Sequence, residues 1–440
     1  MAFADRFVLG ERVGIGATGE VFRAFDKLRG VDVAIKRLHD HLVADPFSRE
    51  RFRCETALSS RIESPYVARC FDGGVDDQDR PYLVLEWLDG YDLATRMKGA
   101  RVSIADAIEI TRQTALALQA VHDAGVVHRD VKPRNLFVAD EGEGKPFVVK
   151  LLDLGIAHDV RADRPDAMTL GTPYYMSPEQ ACASRSIGPA SDLFSLGVLF
   201  FELVTGRRPF VASTTYGLLA KIVLQVRPRL ADVWPDAPLG LDAFVQKSLA
   251  YNPSARFLSA REMSEELGRL AQIDFEAGHG DPSLDASDES SFAPNPDQLV
   301  AVIFRRLPLS SNVDRCRDLA RSIVEVHAGF MVSLLGRGIV ASFPGWCADG
   351  LLNAAEAALD LSQHIGGARW SLVSGEALAP EAGLAESLID RGTRALERAR
   401  TGTNEPSIRV DDETAMSLEE HYVIEGSSGA LSLRAVRERR

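Results

Sequence analysis

The sequence predicts an α+β protein of more than one folded unit, and three observations predict it. Strand-like alternation opens the chain from Phe7 to Asp32, helical spacing dominates after about residue 104, and strands alternate with helices again from Leu299. Before that last stretch lies "DFEAGHGDPSLDASDESSFAPNPD", Asp274 to Asp297, with seven acidic residues and no lysine or arginine. Such a composition buries too little apolar surface to offset its ordering entropy, so an extended, mobile linker is expected. The expected organisation is a β-rich lobe (about 1–88) and an α-rich lobe (about 89–273), then the linker 274–297 and a smaller α/β sandwich over 298–440.

Length and composition agree with this division. At 440 residues, 45% hydrophobic and 26% charged, the chain can build sizeable cores. A net charge of −13 disfavours a general electrostatic hold on nucleic acid or anionic membrane. The five cysteines (Cys54, Cys70, Cys182, Cys316, Cys347) are scattered, without metal spacing, and read as reduced packing residues. No secretory leader pattern opens the chain and no run of about 18 apolar residues interrupts it, so a cytoplasmic location is expected.

The first lobe begins with "LGERVGIGATGEVFRAFD", in which Gly14, Gly16 and Gly19 form G-x-G-x-x-G with Val21 two residues on. Glycines there let backbone amides approach phosphates without a Cβ in the way. A dinucleotide-binding turn would need a helix directly afterwards, whereas "EVFRAFD" and "RGVDVAIKRL" read as a hairpin. Alone, the motif serves a plain turn as well as a nucleotide. In "VAIK", Lys36 ends an apolar strand, and Glu55 falls three residues after Phe52 on an amphipathic stretch. Lys36 could bind phosphate oxygens if an acid oriented it; taken singly, the pair reads as a snorkelling lysine and a surface helix acid.

The α-rich lobe opens on the helix "SIADAIEITRQTALALQAVHDAG", followed by "VVHRDVKPRNLFV" with His128, Arg129, Asp130, Lys132 and Asn135. Phosphoryl transfer to a hydroxyl requires a carboxylate for the hydroxyl proton, a cation for the γ-phosphate and an oxygen ligand for Mg2+; one loop holds all three. "VVKLLDLGIAHD" adds Asp153 at a strand end, where a carboxylate can hold Mg2+.

Five motifs in this order resemble the eukaryotic-like (Hanks-type) protein kinases, the bacterial serine/threonine branch in particular, over roughly residues 7–272. The resemblance implies a bilobal protein kinase fold. It also implies ATP beneath the Gly14–Gly19 loop, Lys36 paired with Glu55, Asp130 as catalytic base, Lys132 on the γ-phosphate, and Asn135 and Asp153 on Mg2+. The implied cofactor-binding set is Gly14, Ile15, Gly16, Gly19, Val21, Ala34, Lys36, Glu86, Leu88, Asn135 and Asp153, with Leu85 as gatekeeper and backbone groups of Glu86 and Leu88 meeting the purine. Lys132 is the serine/threonine form of the loop, so protein Ser/Thr hydroxyls would be the acceptors. Two departures, "DLG" for D-F-G and "SPE" for A-P-E, leave the chemistry intact. By the same resemblance Glu179 would pair with Arg256, Asp192 would brace the catalytic loop, and Thr169 would accept an activating phosphate near Arg129 while Thr172 shapes the substrate site. A pseudokinase scaffold is the rival reading, disfavoured by the intact Lys36, Glu55, Asp130, Asn135 and Asp153.

Beyond the linker the order is strand "LVAVIFRRL", helix, strands "GFMVSLLG" and "GIVASFP", helix "LLNAAEAALDLSQHI", strand "ARWSLVSGEAL", helix and short strands. Over about 298–435 this resembles a class III nucleotidyl cyclase domain, a ferredoxin-like α/β sandwich. Arg305 and Arg306, and Arg337 in "LLGRGIVASF", stand where that family carries metal-binding aspartates, and its Asn followed four residues later by Arg appears as Asp390 and Arg394. Arginines repel divalent cations, so an inert regulatory unit is expected. The resemblance leaves room for a homodimer through either unit. Those arginines are either plain solvated groups or a grip on an anion.

Overall fold

The computed structural model describes residues 3–16, 18–99, 102–140, 146–154 and 173–273 apart from 183, 185, 213 and 226, and residues 299–436 apart from 307–312, 335–337, 346–347, 366–368, 377–385, 399–406 and 428–430. The first lobe runs α1 (Phe3–Arg6), β1 (Phe7–Ile15), β2 (Gly19–Asp26), β3 (Val31–Leu38), α2 (Asp40–Val43), α3 (Pro46–Ser59), β4 (Cys70–Val75) and β5 (Pro81–Glu86). Its strands form an antiparallel sheet in the order β1-β2-β3-β5-β4. The two-residue period of β3 divides its side chains between the two faces: Val33 and Ile35 join Phe7, Tyr82 and Val84 on one, while Lys36 and Leu38 point to the other. That second face receives α3, where Phe52 packs with Leu38 and Leu83. Helix α3 starts cleanly because Asp45 accepts from the N–H groups of Phe47 and Ser48 and Pro46 occupies the first turn.

The second lobe contains β6 (Gly90–Asp92), α4 (Leu93–Gly99), α5 (Ile104–Asp123), β7 (Leu136–Ala139), β8 (Val148–Leu151), α6 (Pro178–Ala181), α7 (Pro189–Thr205), α8 (Thr215–Leu224), α9 (Leu239–Ser248) and α10 (Ala260–Leu270). Helix α7 is apolar almost all round and forms the lobe's axis, burying Phe194, Leu196, Val198 and Phe200 completely. It begins at Pro189 and stops at Gly206, whose φ of 72° only glycine adopts without cost. Helix α5, capped by Ser103, packs against α7 and α10. Together these helices hold the loop that joins α5 to β7, the middle strand of the small sheet β6-β7-β8.

The last stretch runs β9 (Leu299–Arg306), α11 (Val313–Val326), β10 (Phe330–Leu334), β11 (Gly338–Gly345), α12 (Ala348–His364), β12 (Arg369–Glu376), α13 (Glu386–Arg398), β13 (Ser407–Val410), α14 (Asp412–Leu418), β14 (Tyr422–Glu425) and β15 (Leu431–Val436). The mixed sheet has the order β10-β11-β9-β12-β13-β15-β14, with only β12 and β13 parallel among the described pairs. Alternation is strict: Ile303, Ile339, Ala341 and Phe343 face α11 and α12, whereas Val302, Phe304 and Val340 face the opposite way. The hairpin read in "LLGRGIVASF" forms, with Leu334 opposite Gly338; Arg337 at its tip lies outside the described residues.

Residues 274–297 likewise lie outside the described residues. Cys54, Cys70, Cys182 and Cys316 are free thiols, and burial pushes those of Cys70 and Cys182 up to about 11, so they stay protonated and inert at neutral pH. Among the described residues no helix is long and apolar enough to cross a membrane.

Candidate active site

The glycine-rich segment is a tight hairpin between β1 and β2. Gly14 lies opposite Val21 and Ile15 opposite Glu20, and the N–H of Gly16 donates to the carbonyl of Gly19 at 2.8 Å. Glycine is required at position 19, because a Cβ there would lie 2.3 Å from the carbonyl oxygen of Arg37. Val21 is paired with Lys36 across β2 and β3, and Ala34 with Leu85 across β3 and β5. Ile15 stays exposed above these residues.

Lys36 and Glu55 are not surface groups. They are 5% and 4% exposed, and the Lys36 ammonium contacts Glu55 Oε1 at 2.7 Å and Asp153 Oδ1 at 2.8 Å. Burial works to lower the lysine's pKa, but the attraction of Asp153 and Glu55 outweighs it and holds the ammonium above its usual value. A permanently charged lysine is thus fixed between an acid of α3 and an acid beyond β8. The Asp153 side chain is the open member at 42% exposure.

The loop between α5 and β7 carries the second cluster. Lys132 Nζ donates to Asp130 Oδ2 at 2.7 Å, and Asn135 Nδ2 donates to the same oxygen at 2.9 Å and to the Asp130 carbonyl at 2.8 Å. With its amide nitrogen so used, Asn135 keeps its Oδ1 as an acceptor with no donor among the described residues. The register Leu136 to Leu151 sets this loop beside Asp153, and Leu152 N–H donates to the Asn135 carbonyl at 2.8 Å. Among the described residues no group of three or more His, Cys, Asp or Glu forms a self-sufficient metal site. Asn135 and Asp153 fit an ion that takes one or two protein ligands and completes its shell with phosphates and water, as Mg2+ does.

Two residues here have unusual backbones: Arg129 at φ 65° and Asp153 at φ 33°. Arg129 is held by buried partners. Asp192 of α7 accepts the N–H groups of His128 and Arg129 at 2.9 and 2.7 Å, and Gln180 of α6 donates to the Arg129 carbonyl at 2.8 Å. His122 Nε2 lies 2.8 Å from the same Asp192 carboxylate. Glu179 and Arg256 form a bidentate pair at 2.8 and 2.9 Å, with Ser191 donating to Glu179 as well. Sequence reading missed Gln180 and His122: the Ser177-x-x-Gln180 spacing is a capping box that marks the start of α6, but it does not reveal the contact with Arg129, and a histidine at a helix end carries no signature of its own.

At the junction of the lobes, the Glu86 N–H is already given to the carbonyl of Arg69 at 2.9 Å, so residue 86 can offer a purine its carbonyl but not its N–H. The Glu86 carboxylate accepts from Arg69 N–H and Lys150 Nζ, both at 2.8 Å. Leu85 lines a small cavity with Glu55, Leu83, Leu151 and Asp153, and Leu88 is half-buried just beyond it. Thr169 and Thr172 lie outside the described residues. Of the C-terminal positions, Arg306 sits opposite Gly338 in the β9–β11 register, Arg305 opposite Ile339, and Asp390 and Arg394 lie on α13, where Arg394 Nε donates to the Asp390 carbonyl at 3.1 Å.

A buried lysine between two acids, facing a loop of Asp, Lys and Asn, coincides with a match to the protein kinase domain family over residues 7–266. The chain belongs to the protein kinase family. Among its relatives, a probable serine/threonine-protein kinase PknB of Corynebacterium glutamicum is 38% identical over 283 residues, covering 61% of this chain and 43% of that protein. The serine/threonine-protein kinase PknA of Mycobacterium tuberculosis is 34% identical over 277 residues, covering 61% of this chain and 62% of that one. This kinase chain thus spans roughly two fifths to three fifths of such relatives. A crystal structure of the M. tuberculosis PknI kinase domain is 26% identical with a TM-score of 0.50, covering 62% of this chain and 98% of that one.

Proposed function

We propose that the chain transfers the γ-phosphate of ATP to serine and threonine hydroxyls of protein substrates. One observation carries the reading: Lys36 is buried and charged between Glu55 and Asp153 while Lys132 and Asn135 both donate to one carboxylate oxygen of Asp130. Lys36 holds phosphate oxygens, and Glu55 keeps its ammonium aimed. Asp130 orients the acceptor hydroxyl and takes its proton. Lys132 moves from Asp130 to the transferring phosphate, and the hinge carbonyl of Glu86 and the N–H of Leu88 hold the purine. Asn135 Oδ1 and Asp153 would hold Mg2+, which supplies charge neutralisation to the phosphates. Relatives named as serine/threonine kinases support the acceptor class, as does Lys132 itself.

The C-terminal unit, over residues 298–440, we read as a cyclase-like domain without cyclase activity. The backbone register supports this, since Arg306 pairs with Gly338, the residue that follows Arg337 in the sequence, and neither arginine can supply a metal carboxylate. Incubation with Mn2+ and nucleoside triphosphate should give no cyclic nucleotide, and robust product overturns that part. The kinase reading is tested by γ-phosphate transfer to a generic basic protein, comparing the parent chain with Asp130→Ala and Lys36→Met. Each variant should lose about 100-fold or more. Equal background signal from all three chains overturns the reading in favour of a binding scaffold.

A further inference from the structure

The sheet of the C-terminal unit has two apolar faces, and its own helices cover them unequally. Helices α11 and α12 cover the Ile303 face, while on the Phe304 face α13 packs over β9 and β12. Besides α13, that second face meets helix α8 of the kinase second lobe: the rings of Tyr216 and Phe304 stand edge to face at 6.5 Å, and the Tyr216 hydroxyl donates to the Ile339 carbonyl at 2.7 Å. Val302, Phe304, Val340 and Ile389 accordingly join one continuous core with the lobe around α7. Gly338 is small for a reason, since a Cβ there would lie 2.3 Å from Tyr216 Cε2.

Charge complementarity fixes the register. Lys221, one helical turn after Tyr216 and Gly217, is 1% exposed, with its ammonium 2.9 Å from Asp390 Oδ2 of α13 and 2.6 Å from the Val211 carbonyl. A lysine is seldom buried so completely without an acid, and this acid comes from the other unit, 169 residues on. Asp390 is also the residue that the sequence singled out as departing from a cyclase-type asparagine.

We propose that the Phe304 face of the C-terminal sheet is a docking surface whose occupant is helix α8 of the same chain, locked by the Lys221–Asp390 pair. The contact stands whether or not the chain transfers phosphate. The test inserts a specific protease site into the acidic segment 274–297 of the full chain, cuts it, and follows the two fragments by size-exclusion chromatography with light scattering. Fragments of the parent should co-elute at the mass of one chain. Asp390→Lys, which sets two ammonium groups together, and Tyr216→Ala should each weaken fragment association by about tenfold or more, whereas the exposed Glu420→Lys should not. Circular dichroism of the uncut variants separates undocking from misfolding. Parent fragments that separate on cutting, that assemble at two-chain mass, or that stay together in both interface variants overturn the proposal.

Discussion

Arg129 shows how a single residue is placed against its own preference. A non-glycine residue at φ 65° costs about 1–3 kcal/mol, and two side chains hold it there. Asp192 takes the N–H groups of His128 and Arg129, and Gln180 binds the Arg129 carbonyl, so Asp130 follows from a fixed turn. Asp192→Ala bares two buried donors at about 1–3 kcal/mol each, and urea unfolding should show the midpoint fall with unchanged slope. An unmoved midpoint would refute the bracing role. Glu179 adds a pH signature. Burial pushes its carboxyl up, but the hydrogen bond and charge of Arg256 pull it below its usual value. The stabilisation is therefore full above the unfolded-state carboxylate pKa and is lost as pH falls through the lower folded one. Glu179→Gln should cost up to roughly 3–5 kcal/mol at pH 7 and flatten the acid limb of stability against pH; an acid limb as steep as the parent's would contradict this. Lys36, Glu55, Asp130 and Asn135 could be singled out because five motifs stand in one order that resembles a known family, whereas Lys36 and Glu55 taken singly read as surface groups. Gln180 caps α6 locally with Ser177, but its bond to Arg129, 51 residues away, and that of His122 to Asp192, 70 residues away, are contacts that local spacing cannot show.

Elements were legible to the degree that their periodicity was clean. The three-to-four-residue spacing of Ile104 to Asp123 and the short, unbroken apolar run Leu299 to Phe304 gave helix and strand directly. The short strand β6 was not legible, since it exists only by pairing with β7. Nor was the tightness of α13 on its sheet. Gly392 looks like a poor choice inside a helix, yet a Cβ there would lie 2.0 Å from Phe304 Cε2, so the glycine is what lets α13 approach. Ser371 Oγ confirms the closeness by donating to the Gly392 carbonyl at 2.7 Å. Gly392→Ala, which raises helix propensity, should therefore destabilise the chain by about 1–3 kcal/mol. A thermal scan showing equal or higher stability would mean that Phe304 can turn aside freely.

On the scale of the whole molecule, the docking of α8 connects the C-terminal unit to the loop that carries Asp130. Helix α8 packs on α6, and α6 contributes the Gln180 amide that holds the Arg129 carbonyl. The elements touch in series: Asp390 of α13 pairs with Lys221 of α8, α8 packs on α6, and Gln180 of α6 binds the Arg129 carbonyl. Contiguity alone does not establish coupling; a double-mutant cycle does. If the docked unit steadies the loop, Asp390→Lys should lower kcat for phosphate transfer while leaving the KM for ATP near its parent value, because Lys36 and the hinge lie in the other lobe. Gln180→Ala should do the same by removing the last contact in the series. Combining the two should cost less than the sum of the separate losses, by roughly 0.5–2 kcal/mol, since undocking has no route to Asp130 once Gln180 is gone. Strict additivity would show that the C-terminal unit covers α8 without reaching the loop that carries Asp130.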